Sequence, residues 1–487
     1  MFNPIINLKM IKKIERLKGT SFSIVLLLEN IEKLPAGRLT REEYTYVTGQ
    51  KEKLDKDLVV LNRYDRLVLV QFIKKETYGP KRWENCRLAG DKIGLLLNDH
   101  KIKEVVIDAI EGRSNEILAL AEGLELGNYQ FLAYKKDPVK KKNTLETVFI
   151  HSGKVTGKEI DMLNTRIEGT LRCRDLVNEP VIHMSASRLA NEMEKIGKEV
   201  GAGVEVLNKK KIEALKMGGL LAVNRGSQDP PTFTIFEWKP PQPVNDKPFI
   251  LVGKGVVFDT GGLNLKTGTN MDNMKNDMAG AAVVASVVYS VAKAGLPVHV
   301  IALAPATDNR PGEKACTPGD VITMHNGTTV EILNTDAEGR LILADALSYA
   351  RNYDPCLVID IATLTGAAAM AIGKYGIVAM KAKSEEDFTK LKTTGEKVYE
   401  RIVEFPFWEE YGELIKSDVA EIKNIGGREA GAITAGKFLE HFTDYPYIHL
   451  DIAGPVWSEK KDSYRGTGAT GIGVRLLFEF LREKCRG

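Results

Sequence analysis

The spacing of apolar residues changes several times along the chain. Short apolar, β-branched runs alternate with stretches in which apolar residues recur every three or four positions, the signature of strands alternating with helices. In the first third, residues 22–28 and 67–73 read as strands, 83–98 as a helix and 104–108 as a further strand. Residues 154–178 read as one long helix: Ile160, Leu163, Ile167 and Leu171 repeat at helical spacing among Glu159, Arg166, Glu168 and Arg172. Asn178-Glu179-Pro180 ends it, because proline disfavours helix at the residue before it. Beyond that lie strands at 249–257, 298–303, 330–333 and 357–361, with helices at 279–294 and 341–350. The order predicts an α/β protein of two domains. A smaller amino-terminal α/β domain covers 1–152 and a linker helix 153–178. A larger αβα domain covers 179–487, with a parallel-rich mixed sheet and helices on both faces.

Composition narrows the function classes. A chain of 487 residues is long enough for two or three domains, and 43% hydrophobic residues suffice for a sizeable core. With 68 basic and 65 acidic residues the net charge is +3, which argues against nucleic-acid binding through a global field. The five cysteines are scattered without Cys-x-x-Cys spacing, which favours free thiols in a reducing compartment. The histidines form no His-Glu-x-x-His motif. The first twenty residues are basic and amphipathic, with Ile5, Ile6, Ile11, Ile14 and Leu17 among Lys9, Lys12, Lys13, Arg16 and Lys18. They lack the apolar core and cleavage site of a secretory signal and read as a surface helix or arm. No apolar run reaches the length of a membrane span. Lys135-Lys136 and Lys140-Lys141-Lys142 read as a solvated loop.

The chemistry gathers in two stretches. In Asn334-Thr335-Asp336-Ala337-Glu338-Gly339-Arg340, two carboxylates and an arginine are spaced by two, so an extended backbone would aim all three to one side. Taken in isolation, such a pair reads as a solvated acidic turn, and the second stretch changes that. The second stretch, 250–285, ends an apolar strand region with Asp259 and carries Lys254 between two glycines, then Lys266, then Asp277 at the mouth of a small-residue helix. A lysine inside such a strand region needs an anionic partner or loses its charge. Spacing alone makes Lys254 a salt-bridge partner. Asp259, Asp277, Asp336 and Glu338 together are enough to hold two divalent ions if some of them bridge.

GKGVVFDTGGLNLK (253–266), MKNDMAGAA (274–282) and NTDAEGRL (334–341) resemble the signature blocks of the leucine aminopeptidase family, two-metal cytosolic exopeptidases. Blocks at 174–180, 217–223, 359–367 and 449–454 agree in order, so the resemblance runs from about residue 160 to the end. It implies an enzyme that releases amino-terminal residues, leucine or other apolar ones, from short peptides by attack of a metal-bridging hydroxide. The preceding domain would be non-catalytic. The implied metal ligands are Lys254, Asp259, Asp277, Asp336 and Glu338, with Asp259 and Glu338 between the ions. Lys254 would ligate as the neutral amine, since an ammonium has no lone pair. Lys266 would stabilise the oxyanion, and Arg340 would hold a bicarbonate that helps take the water's proton. Met274, Thr363, Leu364, Gly366 and Ala453 fall where the family lines its substrate pocket. Zinc or manganese are the expected ions, with magnesium or cobalt also suited to the donors. The same resemblance implies a cytoplasmic homohexamer.

Two rival readings have specific requirements. A P-loop needs Gly-Lys followed by Ser or Thr, and neither Lys254, followed by Gly255, nor Lys266, preceded by Leu265, meets it. Some family members also bind DNA, which a near-neutral charge neither supports nor opposes.

Overall fold

The computed structural model describes residues 10–17, 22–74 and 78–485. Two compact units divide inside one helix, between Leu171 and Arg172. The first unit also takes in Lys397–Tyr399 and Lys460–Thr467.

The first unit runs β1 (Met10–Ile14), β2 (Ser23–Leu28), α1 (Arg41–Leu54), β3 (Leu58–Asn62), β4 (Leu67–Phe72), α2 (Gly79–Asp99), β5 (Glu104–Ala109), α3 (Ser114–Gly127), the single turn α4 (Pro138–Lys141), β6 (Thr147–His151) and the start of α5 (Gly157–Asn178). Its sheet has the order β1-β6-β5-β2-β4-β3 and is parallel except at β3. Odd positions of β2, Val25 and Leu27, pack with apolar residues of α2, α3 and α5, while Leu26 and Leu28 pack with Val47 of α1. The period of two thus divides each strand between two helical layers.

The segment 10–14 corrects the expectation of a surface helix or arm; residues 1–9 and 18–20 of that stretch lie outside the described residues. Met10–Ile14 is an edge strand paired in parallel with β6. Ile11 is buried, and its backbone N–H and carbonyl are both met by the Asn164 side chain. Residues at 11 and 14 with lysines between fit a helix face as well as an edge strand, and the open edge of β6 decides between them.

The second unit contains α6 (Ala186–Val200), β7 (Gly203–Leu207), α7 (Lys209–Ala214), α8 (Gly218–Asn224), β8 (Thr232–Trp238), β9 (Phe249–Gly253), β10 (Gly255–Asp259), α9 (Ala279–Lys293), β11 (Val300–Asn309), β12 (Val321–Thr323), β13 (Thr329–Glu331), α10 (Gly339–Ala350), β14 (Leu357–Ala362), α11 (Gly366–Ile372), β15 (Ile377–Ala382), α12 (Glu385–Val398), β16 (Ile402–Glu404), α13 (Glu410–Glu413), β17 (Ile422–Lys423), α14 (Gly431–Glu440), β18 (Tyr447–Asp451) and α15 (Val474–Lys484). Its main sheet has the order β16-β15-β18-β14-β9-β11-β8-β7, with β10 beside β11. The centre, β18-β14-β9-β11, is parallel. Those strands are buried on both faces, which is why they read as continuous apolar runs. Each fully buried Val, Leu or Ile there contributes about 1.5–3 kcal/mol.

Two expectations shift. The strand expected at 298–303 continues to Asn309, because its neighbour changes from β9, opposite Val300–Leu303, to β10, opposite Ala306 onward. Pro305 lies in that changeover, and Lys254 lies in the matching break between β9 and β10. The strand expected at 330–333 is β13, which belongs to a separate three-stranded sheet with β12 and β17.

Candidate active site

Lys254, Asp259, Thr363, Asn309 and Asp451 all stand at or just beyond the carboxyl ends of parallel central strands, where open α/β sheets place their ligands. Backbone contact brings the first elements together. A Cβ on Gly253 would lie 2.4 Å from the carbonyl oxygen of Gly280 in α9, so only glycine permits that strand and helix to touch. The contact carries the turn Met274–Met278, and Asp277 in it, up to Lys254.

The Lys254 ammonium is 2.7 Å from Asp277 Oδ1 and 2.9 Å from Glu338 Oε1, and donates to the Thr363 carbonyl at 3.1 Å. The Lys266 ammonium is 2.9 Å from Asp259 Oδ2 and 2.5 Å from Asp336 Oδ1. Four carboxylates and two ammoniums thus alternate in one cluster. Burial opposes charge on Lys254, but the carboxylates of Asp277, Glu338 and Asp259 outweigh it and hold its pKa above the ordinary value. The same balance, with Asp259 and Asp336, raises Lys266. Burial raises the carboxyl groups of Asp277, Asp336 and Glu338, and crowding by neighbouring carboxylates adds to it.

The acidic pair is close for a different reason than the spacing suggested. Residues 334–337 form a turn, closed by Ala337 N–H to the Asn334 carbonyl and Asp336 N–H to Asn334 Oδ1, and Glu338 already has helical dihedrals as the residue before α10. The turn is laced to the loop after β10: Thr335 Oγ1 donates to the Gly261 carbonyl at 2.7 Å and accepts from Asn264 N–H at 2.8 Å. Asn309 bridges the two, donating to Asp259 Oδ1 at 2.8 Å and to the Thr335 carbonyl at 3.0 Å.

The donor set fits divalent ions. Asp259, Asp336 and Glu338 each offer an oxygen, and the three lie within 4.8 Å of one another. Asp277 Oδ2 and Glu338 Oε2 are buried with no hydrogen-bond partner among the described residues, an expensive condition that a cation relieves. Arg340 is buried, donates through Nη1 to the Asn424 carbonyl at 2.8 Å and leaves Nε without a partner. Burial brings its pKa down to about 10, against the opposing pull of Glu338 and Asp451. The unpartnered Nε of this buried guanidinium is a donor that a small oxyanion would satisfy.

Of the expected pocket residues, Thr363 donates to Asp277 Oδ1 at 2.7 Å. Leu364 and Ala453 each donate a backbone N–H to Asp451 Oδ1, at 3.2 and 3.1 Å. Met274 opens the turn that carries Asp277, and Gly366 begins α11 behind its capping residue Thr365. Sequence reasoning missed Asn309, Asn424 and Asp451. Asn309 ends β11 and Asn424 follows β17, and neither carried a spacing signal; Asp451 lay inside a block already noted.

The family model described as "Cytosol aminopeptidase family, catalytic domain" matches residues 171–478. The chain belongs to the cytosol aminopeptidase family. It is therefore an aminopeptidase, a hydrolase. Among its relatives, the probable cytosol aminopeptidase of Chlorobaculum parvum is 47% identical over 406 residues, covering 80% of each chain. That of Clostridium perfringens is 42% identical over 432 residues, covering 86% of this chain and 87% of the relative. Among solved structures, a mutant tomato leucine aminopeptidase superposes with a TM-score of 0.85 at 28% identity, covering 97% and 96% of the two chains. The bottromycin maturation enzyme BotP in complex with Mn superposes at 0.84 and 27%, covering 96% of this chain and all of that one. The protein is mixed α/β, and among its described residues no helix is long and apolar enough to cross a membrane.

Proposed function

We propose that this member of the cytosol aminopeptidase family is a two-metal enzyme that removes amino-terminal leucine and other apolar residues from short peptides. The observation that carries the reading is the cluster of four carboxylates with two lysines, in which Asp259, Asp336 and Glu338 bring oxygens within 4.8 Å of one another and Asp277 Oδ2 and Glu338 Oε2 are buried without a hydrogen-bond partner among the described residues. Lys254, Asp259, Asp277, Asp336 and Glu338 would hold the ions. When bound, two dications supply Lewis acidity for the carbonyl and acidify a shared water. Zinc or manganese is the preferred pair, with magnesium or cobalt compatible.

The chain's own residues do the rest. Lys266 sits at the end of a loop pinned by Thr335, Asn264 and Asn309, so its ammonium is held at the rim of the cluster. A fixed cation there acts on charge that develops on the substrate carbonyl oxygen. The same ammonium balances Asp259 and Asp336. Arg340 would orient a bicarbonate as proton acceptor, and Thr363 orients Asp277. Met274, Thr363, Leu364, Gly366 and Ala453 would line the pocket for the first side chain, where apolar Met and Leu suit leucine. A cytoplasmic homohexamer with its sites opening to a shared cavity completes the proposal; sedimentation mass checks it.

The deciding experiment is hydrolysis of leucine p-nitroanilide by chelated protein, before and after return of each metal. Activity that survives complete chelation would overturn the reading.

A further inference from the structure

We infer that Asp451 is the positioning residue that sets selectivity for the first side chain of the substrate. The inference rests on the aminopeptidase reading above and adds to it a residue outside the proposed metal ligands and pocket residues.

Asp451 is the last residue of β18, opposite Ala362 at the end of β14, and is 1% exposed. One oxygen, Oδ1, accepts the backbone N–H groups of Leu364 and Ala453. The other, Oδ2, accepts from Thr365 Oγ1 at 2.7 Å. Thr365 passes the constraint on, since its hydroxyl also accepts from Ala368 N–H and caps α11. A single side chain therefore holds two separate loops, 363–365 and the one containing Ala453, and both carry proposed pocket residues. A carboxylate suits the task because it is acceptor-only and can take three donors at once.

The other end of the same turn is tied to the metal-binding cluster. Thr363 Oγ1 donates to Asp277 Oδ1, and the Thr363 carbonyl accepts from Lys254. Leu364 lies between these anchors, half-buried against the core around Leu341 and Ala362. Its distance from the reacting centre is fixed on one side by Asp277 and Lys254 and on the other by Asp451. A stability role alone would not require both loops to share an acceptor. Tyr447, His449 and Asp451 alternate along one face of β18, with His449 Nδ1 2.8 Å from Asp360 Oδ1 and the Tyr447 hydroxyl donating to Asp360 Oδ2 at 2.5 Å.

The test compares Asp451→Ala, Asp451→Asn and Thr365→Ala as metal-loaded full chains, on leucine, alanine and phenylalanine p-nitroanilides, with metal content and thermal midpoint measured alongside. Asp451→Ala is expected to raise KM for the leucine substrate and to compress the leucine-to-alanine ratio of kcat/KM about tenfold, the scale on which a loosened apolar pocket loses discrimination. Turnover should stay within about threefold, because the ligands are untouched, as should metal content. Asp451→Asn keeps an oxygen for both N–H groups but gives up the acceptor for the Thr365 hydroxyl, so its ratio should be compressed only about threefold, as for loss of the Thr365 anchor. Thr365→Ala removes one anchor and should shift the ratio in the same direction by about threefold. Losses equal for all three substrates, or falling in step with metal content or thermal midpoint, overturn the inference. If Asp451→Ala does not fold, the other two variants decide: a Thr365→Ala ratio equal to wild type, or an Asp451→Asn ratio as compressed as expected for alanine, overturns it. A wild-type enzyme inactive with every metal overturns the aminopeptidase reading and the inference with it; an active wild type with unchanged variant ratios overturns the inference alone.

Discussion

Replacing Gly339 by alanine should disable the metal cluster without touching any charged side chain. Gly339 is the first residue of α10 and its φ lies outside the left-handed region, so alanine is conformationally admissible there. Its Cβ, however, would lie 2.4 Å from Lys254 Cε, 2.7 Å from Nζ and 2.9 Å from Cδ. Carbon atoms pack at about 3.5–4.0 Å, so the Lys254 side chain must retreat by about 1 Å. Its contacts of 2.7 Å to Asp277 and 2.9 Å to Glu338 then stretch beyond the range of about 3.2 Å for a good hydrogen bond. Lys254 is 3% exposed and has no solvent to retreat into. Breaking a buried ion pair costs about 3–5 kcal/mol. Alanine returns about 1 kcal/mol of helix propensity, leaving the metal-free protein about 2–4 kcal/mol less stable. If Lys254 holds an ion as proposed, the same shift moves its nitrogen away from that ion. Affinity at the Lys254 position should fall more than about 100-fold, beyond the usual cost of losing a supporting group. Metal per chain, measured by elemental analysis across a series of chelator concentrations, reads the second quantity and urea unfolding of the metal-free protein the first. A Gly339→Ala enzyme that keeps two ions at wild-type affinity and full activity would refute the argument.

Asp336→Asn and Glu338→Gln should each lose metal and activity while keeping the fold, since a neutral amide replaces a charged ligand poorly; elemental analysis and circular dichroism check both. Lys266→Ala should lower turnover about 100- to 1,000-fold with both ions retained, and activity that falls only in proportion to lost metal would make Lys266 a structural support. Asp345 is buried in α10, where its carboxylate accepts from Leu220 and His325 N–H, yet burial pushes its pKa up from 3.8 to about 7. The folded chain holds that proton more tightly than the unfolded chain, so stability falls as pH rises from the unfolded value towards about 7 and then levels off. Wild type should therefore lose about 2 kcal/mol relative to Asp345→Asn between pH 5.5 and pH 8, read from urea midpoints; a pH-independent difference would contradict the assignment.

The sequence by itself determined the local elements and the chemical inventory. Continuous apolar runs identified the central strands because strands buried on both faces have no polar side to show. Helical spacing located α5, α9 and α10, and the three signature blocks contained every residue proposed to bind the ions. Tertiary structure decided how those blocks meet. Asp336 and Glu338 converge through a turn and a helix start, not through an extended strand, because β13 pairs in a small separate sheet and the chain must bend back onto the loop after β10. Met10–Ile14 became a strand only because β6 offered an open edge. Asn309, Asn424 and Asp451 carry no periodic signal at all. A polar residue at a strand end reads as the start of a loop, and its role depends on which hydrogen-bond partners the fold brings to it from about 26 to 91 positions away. That arrangement is set by the packing of the whole fold, which no local window of sequence contains.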